Sequence, residues 1–298
     1  MRIGVDIGGT KIEVGALDAS GQFRARRRAP TPAGDYDGTI ALVCELIRAT
    51  ERELGETGSV GIGMPGALSP ATGLVKNSNS TVLNHRPFDR DLIAALGRPV
   101  RFANDANCFA LSEAVDGAGR GARIVFGAIL GTGVGGGIVI DGRVLTGANA
   151  IGGEWGHTSL PWPEPGEMPG PRCYCSKHGC VEAFLSGPSL ARDHRETEGE
   201  DSDAATLAAR DQAGDAAAGR SLARYEDRLA RALAGVINLI DPDVIVLGGG
   251  VGQTERLYQN VPKRWGAFVF SDRVVTRLAP PRWGDSSGVR GAAWLWEA

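Results

Sequence analysis

The chain has 298 residues, 42% of them hydrophobic and 22% charged, with a formal net charge of −3. This is the balance of a globular enzyme with room for two ordinary domains, and it offers no basic surface for nucleic acid. No apolar run approaches the roughly 18 residues of a membrane span, and a strand begins by residue 3 with no signal peptide before it, so a cytoplasmic protein without a membrane partner is expected.

Arg2 to Ile7 reads as a short buried strand and Lys11 to Leu17 as its antiparallel partner. The Gly8-Gly9-Thr10 turn between them leaves backbone N–H groups facing outward with no side chain in the way, a nest for anionic oxygens. Thr10 and Lys11 add a hydroxyl and a positive charge. Asp6 at the mouth suits Mg²⁺, held directly or through water, as a nucleotide-phosphate site requires. A plain tight hairpin with an incidental Asp is the alternative, because the run is not G-x-x-x-x-G-K-[ST] and no helix follows it.

A third strand is expected around Gln22 to Arg28, then a helix over Tyr36 to Leu54 with Ile40, Val43, Leu46 and Ile47 on one face. Ser59 to Met64 is another strand. Val100 to Ala103 is a further one, with Asn104 and Asp105 at its carboxyl end, where α/β folds place their sites. Asp105 to Ala114 reads as a helix. Asp105 fits a general base, and it also fits a helix N-cap.

The second half repeats the theme. Ile124 to Leu130 and Ile138 to Asp141 are strands around a glycine-rich turn that includes Gly131, Thr132 and Gly133. Strand, glycine/threonine turn, strand thus occurs twice, and two such hairpins can grip one nucleotide from opposite sides. A long helix is expected from about Ser221 to Ile240. The strand Asp243 to Leu247 then runs into Gly248, Gly249 and Gly250, and Gly288 to Trp296 closes the chain as a helix. Glu196 to Asp203 reads as a solvated acidic loop. Gly61 to Gly66 and Gly131 to Gly136 each match G-x-G-x-x-G, but the first runs into a loop and the second into a strand. No helix N-terminus meets a pyrophosphate, which excludes a dinucleotide site.

Pro161 to Arg172 contains five prolines and can form neither a helix nor a central strand. Such a segment inside a compact domain needs a pin. Cys173, Cys175 and Cys180 supply three closely spaced thiolates, and Gly179 allows the reversal between them. A fourth ligand closes a tetrahedral structural zinc site. His157 is the favoured candidate because the metal then staples both ends of the proline loop; His178, inside the knuckle, lies too near Cys180. Stripping the metal is expected to loosen residues 157–182 and leave the glycine hairpins intact. Cys44 and Cys108 sit singly in helical patterns and read as small buried hydrophobes.

Asp6-Ile-Gly-Gly-Thr-Lys11, Gly61-Ile-Gly-Met-Pro-Gly66, Asn104-Asp-Ala-Asn107, Glu154-Trp-Gly-His157 and Cys173-x-Cys-x4-Cys-x-Glu182 fall in the order found in the ROK family of bacterial sugar kinases and repressors. The chain resembles that family over essentially its whole length, with Ser176 where the family usually has Gly. The resemblance implies an α/β, actin-like (ribonuclease H-like) duplicated ATPase fold, two lobes with a cleft between them. Residues 1–118 would form the N-terminal lobe and 119–298 the C-terminal lobe, the last helix packing back on the first. It further implies a homodimer that uses ATP, Mg²⁺ and a structural Zn²⁺ to phosphorylate a hexose, with Asp105 as base. Asn79, Asn104, Glu154, His157 and Glu182 would hold the sugar. Asp6, Gly8 to Lys11 and Gly131 to Gly133 would hold the phosphates and Mg²⁺, and Gly249 and Gly250 would let the adenosine approach.

Within the family, Lys76 to Thr81, Trp155, Leu160-Pro161-Trp162 and Gly284 to Trp296 look like the fructokinase (manno-fructokinase) branch, implying D-fructose phosphorylated at its 6-hydroxyl with mannose as second substrate. The N-acetylglucosamine kinase branch shares the catalytic motifs and is the nearest competitor, with glucokinase another. A sugar-responsive repressor is disfavoured, because the helix-turn-helix that precedes the first strand in such proteins is not seen here.

Overall fold

The computed structural model describes residues 1–296. Strands β1 (Arg2–Ile7), β2 (Lys11–Leu17) and β3 (Phe23–Pro30) lead into helix α1 (Tyr36–Leu54) and β4 (Ser59–Met64). The two-residue strands β5 (Ala67–Leu68) and β6 (Val75–Lys76) pair with each other ahead of α2 (Phe88–Leu96), β7 (Val100–Asn104) and α3 (Asp105–Val115). Next come β8 (Ile124–Leu130), β9 (Val134–Ile140) and β10 (Arg143–Val144), then α4 (Glu182–Leu185), α5 (Gly187–Glu198), α6 (Ala204–Gln212) and α7 (Ala216–Ile240). β11 (Val244–Gly248), α8 (Arg256–Trp265), β12 (Arg277–Ala279) and α9 (Ser287–Trp294) complete the chain.

The two large sheets have the orders β3-β2-β1-β4-β7 and β10-β9-β8-β11-β12. Counted within each half, both read 3-2-1-4-5. In the first, β1 pairs antiparallel with β2, which pairs antiparallel with β3, while β1, β4 and β7 run parallel. In the second, β8, β11 and β12 run parallel and β10 pairs antiparallel with β9. A hairpin edge joined to parallel strands, built twice, is the actin-like (ribonuclease H-like) ATPase architecture. Parallel strands covered on both faces must be apolar throughout, and Val244 to Leu247 in β11 are all fully buried.

Local chemistry sets the element ends. α1 starts where the Asp35 carboxylate accepts from the Gly38 N–H and stops at Gly55, whose φ is +64°. α7 starts at Ala216, ahead of the expected Ser221, because the Asp215 carboxylate accepts from the N–H groups of Ala217 and Ala218. The acidic stretch at 196–203 is only partly a loop: Glu196 to Glu198 form the last turn of α5, and Glu198 pairs with Arg220 and Arg224.

The chain divides into two compact units. Unit 1 comprises Met1–Gly121, Gly137–Gly153 and the stretch from Arg282 onward; unit 2 comprises Ala122–Gly136 and Glu154–Pro281. The units are interleaved along the chain, unlike the linear 1–118 and 119–298 cut expected above. The division falls inside β9, and α9 contacts β1, β2, β4 and α3 of unit 1.

Within unit 1 the seat of α9 is backbone on backbone. A Cβ on Gly4 of β1 would stand 1.8 Å from the Val289 carbonyl oxygen, and one on Gly61 of β4 would stand 1.9 Å from that of Ala292. From the helix side, a Cβ on Gly291 would meet the Cys108 carbonyl of α3 at 1.7 Å. Within unit 2 the proline-rich loop is tied to α7. The Glu167 carboxylate bonds Arg228 at 2.7 Å and Arg231 at 2.7 Å, and Arg231 is only 3% exposed. Burial opposes ionisation of Glu167, but these guanidinium bonds outweigh it and hold its pKa down to about 2.

Gly4→Ala puts a methyl into carbonyl oxygen rather than into a cavity, so neither side can yield without moving α9. The expected cost is about 3 kcal/mol, the upper end of ordinary overpacking, measured as a fall in the midpoint of urea unfolding. A variant as stable as the parent would show that α9 is seated less tightly than described.

Candidate active site and metal centre

In unit 1 the β1–β2 turn closes with a Gly8 N–H bond to the Lys11 carbonyl at 2.9 Å, and it is braced by the Thr31 hydroxyl on the Gly8 carbonyl at 2.7 Å. Gly9, Thr10 and Lys11 remain exposed, free to meet an anion. Asp6 lies at the end of β1 beneath the first turn of α9. A Cβ on Gly288 would stand 2.7 Å from Asp6 Oδ2, so a larger residue there would have to push the Asp6 carboxylate aside. Burial, the carboxylate of Asp105 and that of Glu13 together push the Asp6 pKa up to about 7, against smaller opposing effects of Lys11 and Arg28. Glu13 itself is paired with Arg26 and Arg28 of β3. A concentrated pair of carboxylates at the mouth of an anion nest fits a hard divalent cation such as Mg²⁺.

Asp105 opens α3, yet the N-cap is Asn104, whose Oδ1 accepts from the Ala106 N–H at 2.9 Å. One Asp105 oxygen shares that donor at 2.8 Å. The capping role expected for Asp105 is therefore filled by its neighbour. Asn104 also donates through Nδ2 to the Gly66 carbonyl at 3.1 Å, which ties the end of β7 to the loop after β4. Asn79 sits exposed on the loop after β6. That loop is locked by Asn84, which bonds the Ser78 N–H at 2.9 Å and the Ser78 carbonyl at 2.8 Å.

In unit 2 the β8–β9 turn is closed by a Gly131 N–H bond to the Gly133 carbonyl at 3.0 Å, and the Gly131 carbonyl accepts from Gly187 at the start of α5. Gly249, with φ +80°, rests its Cα so near the end of β8 that a Cβ would meet the Leu130 carbonyl at 2.3 Å. A Cβ on Gly250, by contrast, would meet nothing within 4 Å, so the close approach belongs to Gly249 alone of the two. Glu182 joins the turn to the cysteine knuckle. Its Oε2 accepts from the Val134 N–H at 2.9 Å, and its Oε1 lies 3.7 Å from Cys173 Sγ. Sequence spacing gave no sign of this link, which spans 48 residues.

One ligand atom each from His157, Cys173, Cys175 and Cys180 falls within a span of 4.8 Å. Cys175 Sγ to Cys180 Sγ is 3.6 Å, and Cys173 Sγ to His157 Nδ1 is 3.6 Å. A tetrahedron with arms of about 2.3 Å has edges of about 3.8 Å, so these residues fit zinc. His178 instead turns its Nδ1 to the Gly170 carbonyl at 3.2 Å. Burial and the neighbouring thiols raise the Cys180 pKa to about 12, and burial raises that of Cys173; three thiolates so close need a cation among them. The other nitrogen of His157, Nε2, meets the Tyr174 hydroxyl at 2.8 Å. Tyr174 escaped the sequence reading.

Glu154 begins the single turn Trp155–His157, and no hydrogen bond engages its carboxylate among the described residues. Trp155 and Trp162, two of the marks that resemble the fructokinase branch, each meet an aromatic neighbour. The buried Trp155 ring stands edge-on to Phe126 at 5.5 Å, with Nε1 on the Gly135 carbonyl at 2.8 Å. Trp162, 48% exposed, lies against Phe268 at 5.4 Å.

The ROK family profile matches residues 2–298. The chain belongs to the ROK family. An N-acetyl-D-glucosamine kinase of Photobacterium profundum is 41% identical over 299 residues, spanning 99% of each chain. The crystal structure of a ROK hexokinase from Thermus thermophilus superimposes with a TM-score of 0.86 at 35% identity, covering 98% of this chain and 96% of that one. A ROK glucokinase from Streptomyces griseus, crystallised with glucose and AMPPNP, gives a TM-score of 0.78 at 27% identity, with 99% and 98% covered. The curated relative thus carries the name of the competing branch, not the fructokinase branch. No helix among the described residues is long and apolar enough to cross a membrane.

Elemental analysis of purified protein is expected to find about one zinc per chain. Because Glu182 fastens the glycine turn to the knuckle, chelation should loosen residues 131–134 as well as 157–182, contrary to the expectation that the hairpins stay intact. Hydrogen exchange reads both segments; protection at 131–134 that survives chelation would sever the link.

Asp6 yields a pH prediction for metal-free protein. Its folded pKa of about 7 lies above the ordinary value of 3.8, so its favourable protonated form contributes fully below about pH 4 and is lost as pH rises through about 7. Asp6→Asn should remove that slope and be the more stable form at pH 8 by up to about 4 kcal/mol, with the difference vanishing near pH 4. Parallel stability curves for the two proteins would refute it.

Proposed function

We propose that the protein is an ATP-dependent sugar kinase whose preferred sugar is N-acetylglucosamine rather than the D-fructose that its sequence marks suggested. The single observation that carries this reading is the 41% identity, over 99% of both chains, to an N-acetyl-D-glucosamine kinase. The site chemistry agrees with phosphoryl transfer, and the Streptomyces griseus relative was crystallised with a sugar and an ATP analogue.

Transfer of a γ-phosphoryl group to a sugar hydroxyl needs in-line positioning, neutralised charge and an acceptor for the hydroxyl proton. Asp105 is assigned as that acceptor. Asn104 is the N-cap and fixes the first turn of α3, and Asp105 is the carboxylate that opens that helix at the end of β7. Gly8 to Lys11 and Gly131 to Gly133 are assigned to the phosphates. Mg²⁺ at Asp6 would neutralise charge on the transferring group. Asn79, Asn104, Glu154, His157 and Glu182 are assigned to sugar hydroxyls. Zinc is structural: it holds His157 and, through Glu182, sets the glycine turn. Gly249 and Gly250 are assigned to the adenosine, and the family expectation of a homodimer is retained.

Trp155 packs against Phe126 and Trp162 lies against Phe268, so neither ring by itself argues for fructose over N-acetylglucosamine. A coupled ADP-release assay across N-acetylglucosamine, fructose, mannose and glucose tests the reading. The highest kcat/KM is expected for N-acetylglucosamine; a fructose value above it would restore the fructokinase branch, and no turnover on any hexose would end the kinase reading. In the same assay Asp105→Asn, nearly isosteric and with Asn104 still capping α3, is expected to lower kcat by about 10²- to 10⁴-fold. Retention of more than about a tenth of parental turnover would remove Asp105 from the role of base.

A further inference from the structure

Tyr174 stands between two of the metal-site cysteines, so Cys173 and Cys175 fix its backbone on either side, yet the residue is 79% exposed. Its ring has one aromatic neighbour, the His157 imidazole, met edge-on at 5.0 Å with an interplanar angle of 86°. Its hydroxyl reaches His157 Nε2 at 2.8 Å. No core holds this side chain, and a change of rotamer would carry it into solvent at the loss of that one hydrogen bond. The carboxylates of Glu182 and Glu154 lie close enough to act on the phenol.

The chemistry of His157 makes the contact informative. Nδ1 faces Cys173 Sγ at 3.6 Å and belongs to the cysteine cluster. With the Nδ1 lone pair given to a metal, the neutral ring must carry its proton on Nε2. That N–H then calls for an acceptor oxygen, which a phenol supplies as well as a sugar hydroxyl does. We propose that Tyr174 is a placeholder in the sugar subsite: its hydroxyl occupies the His157 Nε2 position in the sugar-free protein, and a substrate hydroxyl must displace it to bind. The inference rests on the assignment of His157 to the sugar under the proposed function. Tyr174 thereby sets affinity through competition, not through contact with the bound substrate.

Competition fixes the sign of the test. Tyr174→Phe keeps the ring and removes the competing oxygen, so sugar binding should tighten by about the strength of one net hydrogen bond, roughly 3- to 10-fold. Calorimetric titration of zinc-loaded parent and variant with N-acetylglucosamine, without nucleotide, reads this as a fall in Kd. Steady-state assays should show KM falling and kcat/KM rising in proportion, since uniform binding is what changes. Tyr174→Leu, which also removes the ring contact, should shift affinity in the same direction. Zinc content is measured in every protein so that a disturbed knuckle is recognised. Unchanged Kd in Tyr174→Phe overturns the proposal, and weakened binding overturns it in favour of direct contact with substrate. Parental turnover on the same sugar reports on the kinase reading separately: an active parent with untightened variants sinks the Tyr174 proposal alone, and a parent that neither binds nor phosphorylates any hexose sinks both.

Discussion

Carbonyl oxygens of α9 and α3 lie where the side chains of Gly4, Gly61 and Gly291 would otherwise be. That close approach is the constraint on which unit 1 depends. Interiors pack at crystal-like density and do not deform smoothly, so a helix seated backbone to backbone has one position. From that position follow the Gly288 turn over Asp6, the lie of α3 against α9, and the placement of Asp105 near enough to Asp6 for its carboxylate to raise the Asp6 pKa. Glycines that carry no charge thus help set where the charged groups stand.

Unit 2 follows a different logic, in which polar links replace close packing. The knuckle, the Trp155–His157 turn and the β8–β9 turn are joined by Glu182 to Val134, Trp155 to Gly135, and His157 to Tyr174. Glu167 adds the tie between the proline loop and α7. Satisfied networks of this kind rigidify a site, but each member depends on the others. A metal held by the three cysteines would therefore influence a glycine turn that it does not touch.

Much of this was legible because it is local. The β1–β2 turn declares itself in consecutive residues, the bounds of α1 in its Asp35 cap and Gly55 stop, and the cysteine cluster in its spacing. The short helices α2, α5 and α6 carry too few turns for a firm 3.6-residue pattern and were not anticipated. Long-range facts were hidden for a different reason. That Glu182 bonds Val134, or that Gly288 lies on Asp6, is decided by packing between segments far apart in sequence. The bulky residues around 155–162 misled because a tryptophan reads the same in sequence whether it meets a ligand or another ring, and the neighbours Phe126 and Phe268 come from far along the chain.

The interleaved division has a consequence for how the chain is made. A ribosome delivers β1 to α3 first, yet α9, which covers the glycine face of β1 and β4, emerges only after all of unit 2. Domains begun at the N-terminus ordinarily fold during synthesis. Here the first unit begun is the last finished, and its sheet must wait through more than half of translation with an apolar face uncovered. The interval in which that face is bare, rather than the finished fold, is when this chain is most in need of a chaperone.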